Sequence, residues 1–316
     1  MRAIFYHGVV DRTRTSAYYA SIFADRRDFE RDVSEVARYW QPMSLTEIAA
    51  HVRDGRSLPP RAVHVSFDDG FANTLDAAEV LDRHGIPWTL FVVVDAVLSG
   101  YEPWFVRVAN ALEAARNVQC PDGSVVELGT AVAKWRFARR VKASIMAAPA
   151  LRHEEVVEEI LTLRGMPSAP EPRWTLLPLP AIRQLLNAGV EIGNHSARHP
   201  NLNRGDDETL VGEICDSKQR LEAALGRPVR GFAYPDGRYN RTVARIAASS
   251  HDLAMSVWRP GATWRPGAIP RRAGGVGPLE QTLAQSDVSS VVPWLRAQAP
   301  LRAAEMRHRF LELRRW

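Results

Sequence analysis

Two rhythms of hydrophobic and polar positions run along the chain. Short runs rich in β-branched and aromatic residues, "RAIFYH", "AVHVSF", "WTLFVVV", "VEIG", "VRGFAY", "LAMSVW" and "AIP", read as strands. Between them, apolar residues recur at helical spacing, and the pattern predicts helices over 28–40, 44–52, 73–84, 180–188, 206–225 and 242–249. Ser44 and Glu47 have the spacing of a capping box. Gly85 ends the third helix and Pro87 prevents its continuation. In 206–225, Leu210, Ile214, Leu221 and Leu225 share one face. The run "WTLFVVV" is almost continuously apolar, as a strand covered on both faces requires. Repeated strand–helix units imply a parallel sheet, open or closed into a barrel.

The rhythm breaks between about residues 100 and 173, which read as helical and polar with no strand pattern. "RHEEVVEEILTLRG" is a helix ended by Gly165, and "MPSAPEPRW" is a Pro-rich linker. The expectation is one domain over 1–316 with a helical insertion at 100–173. The tail "RAAEMRHRFLELRRW" predicts a basic amphipathic helix within about 295–316, with Met306, Phe310 and Leu313 on one side. That helix is expected to dock on the domain, or to touch an anionic membrane surface.

Composition narrows the class. The 316 residues are 46% hydrophobic and 24% charged, ordinary for a globular chain. Cys120 and Cys215 stand alone, which indicates neither a disulfide framework nor a zinc ribbon. The chain runs from Met1 straight into a strand pattern, with no leader and no run of 18 apolar residues, so the expected location is the cytoplasm. The net charge is +5, with dispersed arginines; this favours an anionic substrate or surface. No basic-aromatic stripe, zinc finger or helix-turn-helix pattern points to nucleic acid.

In folds of repeated strand–helix units, ligands gather at the C-terminal ends of strands. There the chain places Asp68, Asp69 and Gly70 after "AVHVSF", His195 and His199 in "NHSARHP", Pro235 and Gly237 in "YPDG", and Arg271 and Arg272 after "AIP". "FDDG" alone also fits a turn with a helix N-cap, "HSARH" an exposed loop, and "YPDG" an ordinary turn. Together they fit a catalytic metal site: one aspartate and two histidines leave an open position for water, and a second carboxylate takes the proton. The cation also offsets the repulsion between adjacent aspartates.

"SFDDG", "HSARHP" and "FAYPDG", in this order, resemble the polysaccharide deacetylase family, the NodB-homology or carbohydrate esterase family 4 domain. Weaker likenesses are "FYHGV", "GIPWTLFVV" and "IPRR". The resemblance covers roughly 1–98 and 176–275. It implies a distorted (β/α) barrel, usually of seven parallel strands, and metal-dependent removal of an acetyl group from a sugar polymer. Residue by residue, it implies Asp68 as general base, and Asp69, His195 and His199 as ligands of one divalent ion. Zinc is the ion most often held, with cobalt, nickel or manganese as alternatives. The Tyr234 backbone N–H would stabilise the oxyanion, Pro235 and Gly237 would shape the substrate loop, and Arg271, or Arg272 in its stead, would pair with Asp68. Asn194 and Ser196 read either as supports for the histidines or as solvated loop residues. Asn73 and Thr74 read as a plain helix start.

The chain also departs from the pattern. Many members take a general acid from a late Leu-x-His motif, and none follows Arg272; His308 lies in the tail. His251 is expected at the far end of the barrel and His64 as a structural histidine; His7, at the end of the first strand, reads first as a core histidine and second as one that reaches the rim. The leading reading is a deacetylase of an N-acetylated amino sugar or glycan. Other expectations are a deformylase or another amide hydrolase, and a non-catalytic glycan-binding domain. A cytoplasmic enzyme would meet a lipid-linked or nucleotide-linked sugar, or a small metabolite.

Overall fold

The computed structural model describes residues 1–120, 123–163, 172–257 and 268–275. The expected tail helix, Gly165 and most of the Pro-rich linker lie outside the described residues. The β-branched runs form seven parallel strands: β1 (Arg2–Tyr6), β2 (Ala62–Phe67), β3 (Trp88–Val92), β4 (Glu191–Asn194), β5 (Gly231–Ala233), β6 (Leu253–Val257) and β7 (Ile269–Ala273). Each pairs with the next, and β1 also pairs with β7, Ile4 opposite Arg272, so the sheet closes into a barrel. A two-residue strand, Gln41–Pro42, lies outside β2.

The helices are α1 (Arg26–Tyr39), α2 (Leu45–Arg53), α3 (Leu75–Arg83), α4 (Val94–Ser99), α5 (Trp104–Ala114), α6 (Ala131–Ala147), α7 (His153–Leu163), α8 (Leu179–Asn187), α9 (Asp207–Val211), α10 (Ser217–Leu225) and α11 (Arg241–Ser250). Among the described residues, none is long and apolar enough to cross a membrane. Every residue of β2 is buried, because its outer face meets Val33, Val36 and Leu81 while its inner face fills the barrel. The barrel is tight inside: a Cβ on Gly193 of β4 would lie 2.3 Å from the Phe91 ring.

Three expectations change. The third strand stops at Val92, because Val94 N–H donates to Ser196 O and Asp95 N–H to Ala197 O, each at 3.0 Å, drawing the chain off the sheet into α4. The helix expected over 206–225 starts one residue later, with Asp206 as its N-cap, and contains a π turn at Gly212–Asp216. There Glu213 O accepts from Ala197 N–H at 3.1 Å and from the Ser217 hydroxyl at 2.7 Å. The insertion is neither strandless nor merely polar. Asn117–Gln119 and Val125–Glu127 form an antiparallel hairpin, and α5–α7 bury Leu112, Phe137, Val141, Ile145 and Val157. The cationic side chains of α6 masked Phe137, Val141 and Ile145, which sit four apart on its inner face.

The chain leaving the insertion returns beside the "FDDG" loop. Asn110 of α5 brackets the buried Trp174, donating to its carbonyl and accepting from its amide, both at 3.0 Å. Ala72 N–H then donates to Thr175 O at 2.9 Å, and Leu177 N–H to Gly70 O at 2.8 Å.

At the opposite end of the barrel, Glu191 of β4 caps α2. Its carboxylate accepts from Leu45 N–H at 2.6 Å, Thr46 N–H at 2.9 Å and the Thr89 hydroxyl at 3.2 Å. Glu191→Ala removes these partners and is expected to lower stability by about 1–2 kcal/mol, read as a lower urea midpoint. An unchanged midpoint would show that the capping box of Ser44 and Glu47 suffices for α2.

Candidate metal centre and active site

Each strand end delivers one piece of the site. β2 ends in Asp68 and Asp69. Asp68 N–H donates to Tyr6 O at 2.9 Å, which continues the β1–β2 ladder and aims its side chain into the barrel mouth. Asp69 then takes a left-handed conformation, φ 71°, turning its side chain away from that of Asp68. Adjacent carboxylates therefore occupy different environments. Among the described residues, five non-glycine residues have positive φ, and four of them, Asp69, Ser196, His199 and Asp236, lie at this rim. Local backbone strain is concentrated where the chemistry is placed.

Arg271, not Arg272, pairs with Asp68. Its two terminal nitrogens donate to the two carboxylate oxygens at 2.6 and 2.7 Å. Arg271 is 0% exposed and Asp68 3%. The guanidinium also donates to the Ser66 hydroxyl at 3.1 Å and lies between the rings of Phe5 and Phe91, 4.9 and 5.2 Å from their centroids.

Asp69, His195 and His199 offer one ligand atom each, all within 4.8 Å of one another. His195 Nδ1–H donates to Ala233 O at 2.8 Å, which leaves Nε2 facing the site. Asp69 Oδ1 is 3.3 Å from that nitrogen and 3.6 Å from His199 Nε2, yet it is buried without a well-formed hydrogen bond. Such an orphaned carboxylate oxygen between two imidazole nitrogens fits a cation. Burial alone would raise the Asp69 carboxyl, but the imidazoles His195, His7 and His199 outweigh it and hold it well below the usual carboxylate range. Burial, then the neighbouring His195, pushes His199 down to about 4, so near pH 7 it is the neutral imidazole that ligation needs. Burial lowers His195 as well, but the carboxylates Asp68 and Asp69 outweigh it and raise that histidine.

The histidine loop is held from several sides. His195 N–H donates to Val92 O at 2.9 Å, and His199 N–H to the Ser196 hydroxyl at 2.9 Å. Asn194 donates to Ile214 O at 3.0 Å and the Ser217 hydroxyl at 2.9 Å. Asn194 and Ser196 are both fully buried, which removes the solvated-loop reading. Behind the loop, Arg198 and Arg220 both bind the buried Asp95, at 2.8 and 2.7 Å. The insertion contributes directly: the Trp104 indole N–H donates to His199 O at 3.0 Å, and Asn201 donates to Met146 O at 2.7 Å.

Other residues move from their expected roles. Tyr234 N–H donates to Met255 O at 2.9 Å, a rung of the β5–β6 ladder, so it is not the oxyanion donor that the resemblance implied. The turn after it faces the cleft instead. Gly237 has φ 65°, and a Cβ there would lie 2.6 Å from Val257 Cβ and backbone nitrogen, so only glycine fits. Pro235 is buried and shapes the turn from behind. Asp236 binds Lys142 of α6, tying this turn to the insertion. His7 is not a core histidine: its side chain is 33% exposed, at the cleft, with Nε2 3.8 Å from Asp69 Oδ2. His64 is structural, its Nδ1–H donating to Met43 O at 2.9 Å. His251 is buried away from the cleft, against Phe232 and 3.3 Å from the Asn194 amide. Asn73 lies in the 3₁₀ turn Ala72–Thr74 that precedes α3, as its helix-start reading implied. Trp104 and Lys142 carried no motif, and Asp236, although inside "FAYPDG", was given no role; Lys142 was visible only as one of several cations on a helix.

Above the site opens a cleft of about 660 Å³, walled by the insertion and by the 235–238 turn. Residues 171–254, which contain the histidine loop and "FAYPDG", match the family model described as polysaccharide deacetylase. The structure superposes on a deacetylase from Streptococcus pyogenes, PplD, solved in complex with acetate, with a TM-score of 0.59 and 16% identity, covering 90% of this chain and 97% of that one. The chain has the fold of the polysaccharide deacetylases. IcaB from Ammonifex degensii aligns with a TM-score of 0.52 at 17% identity, over 93% of this chain and 96% of that chain. An uncharacterized protein of Bacillus subtilis, YlxY, is 25% identical over 88 residues, 28% of this chain and 27% of that relative's length.

Trp104→Phe keeps the ring and removes the donor to His199 O. Loss of such outer support is expected to weaken divalent-metal affinity about tenfold or more, measured by calorimetric titration. Unchanged affinity would show that the Ser196 bond alone fixes the His199 backbone.

Proposed function

We propose that the protein is a divalent-metal-dependent hydrolase that removes an N-acetyl group from an amino sugar or glycan. The observation that carries this reading is the buried Asp68–Arg271 pair beside the Asp69, His195 and His199 group at the floor of the cleft. Those three residues would hold the ion, zinc being the expected one. When bound, it supplies Lewis acidity, lowering the pKa of a water and polarising the acetyl carbonyl.

The chain supplies the rest. Arg271 fixes the plane of the Asp68 carboxylate, which accepts a proton as water oxygen bonds to the acetyl carbon. Collapse of the tetrahedral carbon breaks the C–N bond, Asp68 returns its proton to the nitrogen, and acetate and the free amine leave. The Trp104 and Phe105 rings pack beside the His199 ring at this floor and hold its orientation. A glycan-binding domain without catalysis has no use for a base fixed next to such a group.

The purified protein is expected to contain about one divalent ion per chain by elemental analysis, lost in the double variant His195→Ala/His199→Ala. Full occupancy in that variant would refute the ligand set. Asp68→Asn is expected to keep the ion and to lose about 10²–10⁴-fold in acetate release. Undiminished turnover would reduce Asp68 to a partner of Arg271.

A further inference from the structure

Helix α6 carries Lys134, Arg136, Arg139, Arg140 and Lys142 and no acidic residue. Its cleft-facing positions include Trp135, Arg139 and Lys142, with Met146 at the inner end. Met146 O is bound by Asn201, two residues beyond His199, so the helix runs outward from the metal group. At 1.5 Å per residue, Arg139 stands about 4.5 Å further out than Lys142, and Trp135 about 10 Å. Arg238, in the turn after β5, lines the same cleft.

Among the described residues, the charges lining this cleft do not balance. Its acids are Asp68, Asp69 and Asp236. Asp68 is taken by Arg271, Asp69 belongs to the metal group, and Asp236 binds Lys142. Among the described residues, neither Arg139 nor Arg238 forms a salt bridge, although the charge of Arg238 acts on Asp236; Arg139 lies over the Trp135 ring, 4.8 Å from its centroid, and Trp135 is 43% exposed. Two guanidinium groups and a partly exposed indole, one face of which Arg139 covers, thus remain for a ligand, beyond the position of the reacting acetamide. An indole face covers the apolar face of a sugar ring, and a guanidinium fork matches a phosphate or carboxylate.

We infer that the substrate is an anionic acetylated glycan: a sugar next to the one deacetylated carries a phosphate or carboxylate, seated by Arg139 and Arg238 with its ring on Trp135. This rests on the deacetylase reading above. Arg139 and Arg238 are then specificity residues, and Lys142 is a positioning residue that holds the 235–238 turn through Asp236.

The test compares acetate release from a neutral N-acetylglucosamine tetramer, its 6-O-phosphorylated form, and a hyaluronan tetrasaccharide bearing carboxylates. At low salt, at least one anionic probe is expected to have a kcat/KM about tenfold or more above the neutral tetramer. The advantage shrinks as salt rises, and it disappears in Arg139→Gln/Arg238→Gln through KM rather than kcat. The preferred probe distinguishes phosphate from carboxylate. Equal kcat/KM for all three, or a preference that survives both substitutions, overturns the inference while leaving deacetylation intact. No release from any probe would fail the deacetylase reading instead. The inference then stands or falls on binding to metal-loaded Asp68→Asn: tighter anionic binding lost with both arginines supports it, and equal dissociation constants overturn it.

Discussion

The bidentate pair between Arg271 and Asp68 is the interaction on which the site depends. Arg271 comes from the last strand and Asp68 from the end of the second, so the pair spans the β1–β7 closure of the barrel. Both groups are out of water, and a buried charge left without its partner typically costs about 3–5 kcal/mol. Ser66, Phe5 and Phe91 complete the surroundings of the guanidinium, so its geometry is set by the barrel interior rather than by a flexible loop. The carboxylate is thereby held in one orientation by the barrel itself.

From that anchor, backbone geometry separates the two aspartates. The left-handed turn at Asp69 sends one carboxylate to the histidines while its neighbour stays with the arginine. Asp69 Oδ1 remains buried without a hydrogen bond of good geometry. That cost persists only because the surrounding fold fixes it, and a cation removes it.

The insertion is part of this arrangement rather than an appendage. It builds its own apolar core, and from it Trp104 reaches His199 while Lys142 reaches Asp236. Loop geometry at the metal group and the shape of the cleft are therefore set by the same segment.

Alternating periodicity determined the barrel strands and most helices, because strand and helix spacing are local properties of the chain. The paired aspartates and two histidines were legible for a related reason: they sit at strand ends, where a parallel barrel must converge. Closure into a barrel was not legible from periodicity, since β1–β7 pairing joins residues almost the whole described chain apart. Nor was the hairpin in the insertion, whose three-residue strands are too short to show a period. Only the tertiary structure removed Arg272 as the alternative to Arg271, by the face of β7 that points inward. It placed His7 in the cleft and put the Tyr234 amide into the ladder. It also brought Trp104, Lys142 and Arg139 to the rim. Those assignments depend on which long-range partner a side chain or amide meets, and no local pattern in the sequence encodes that partner.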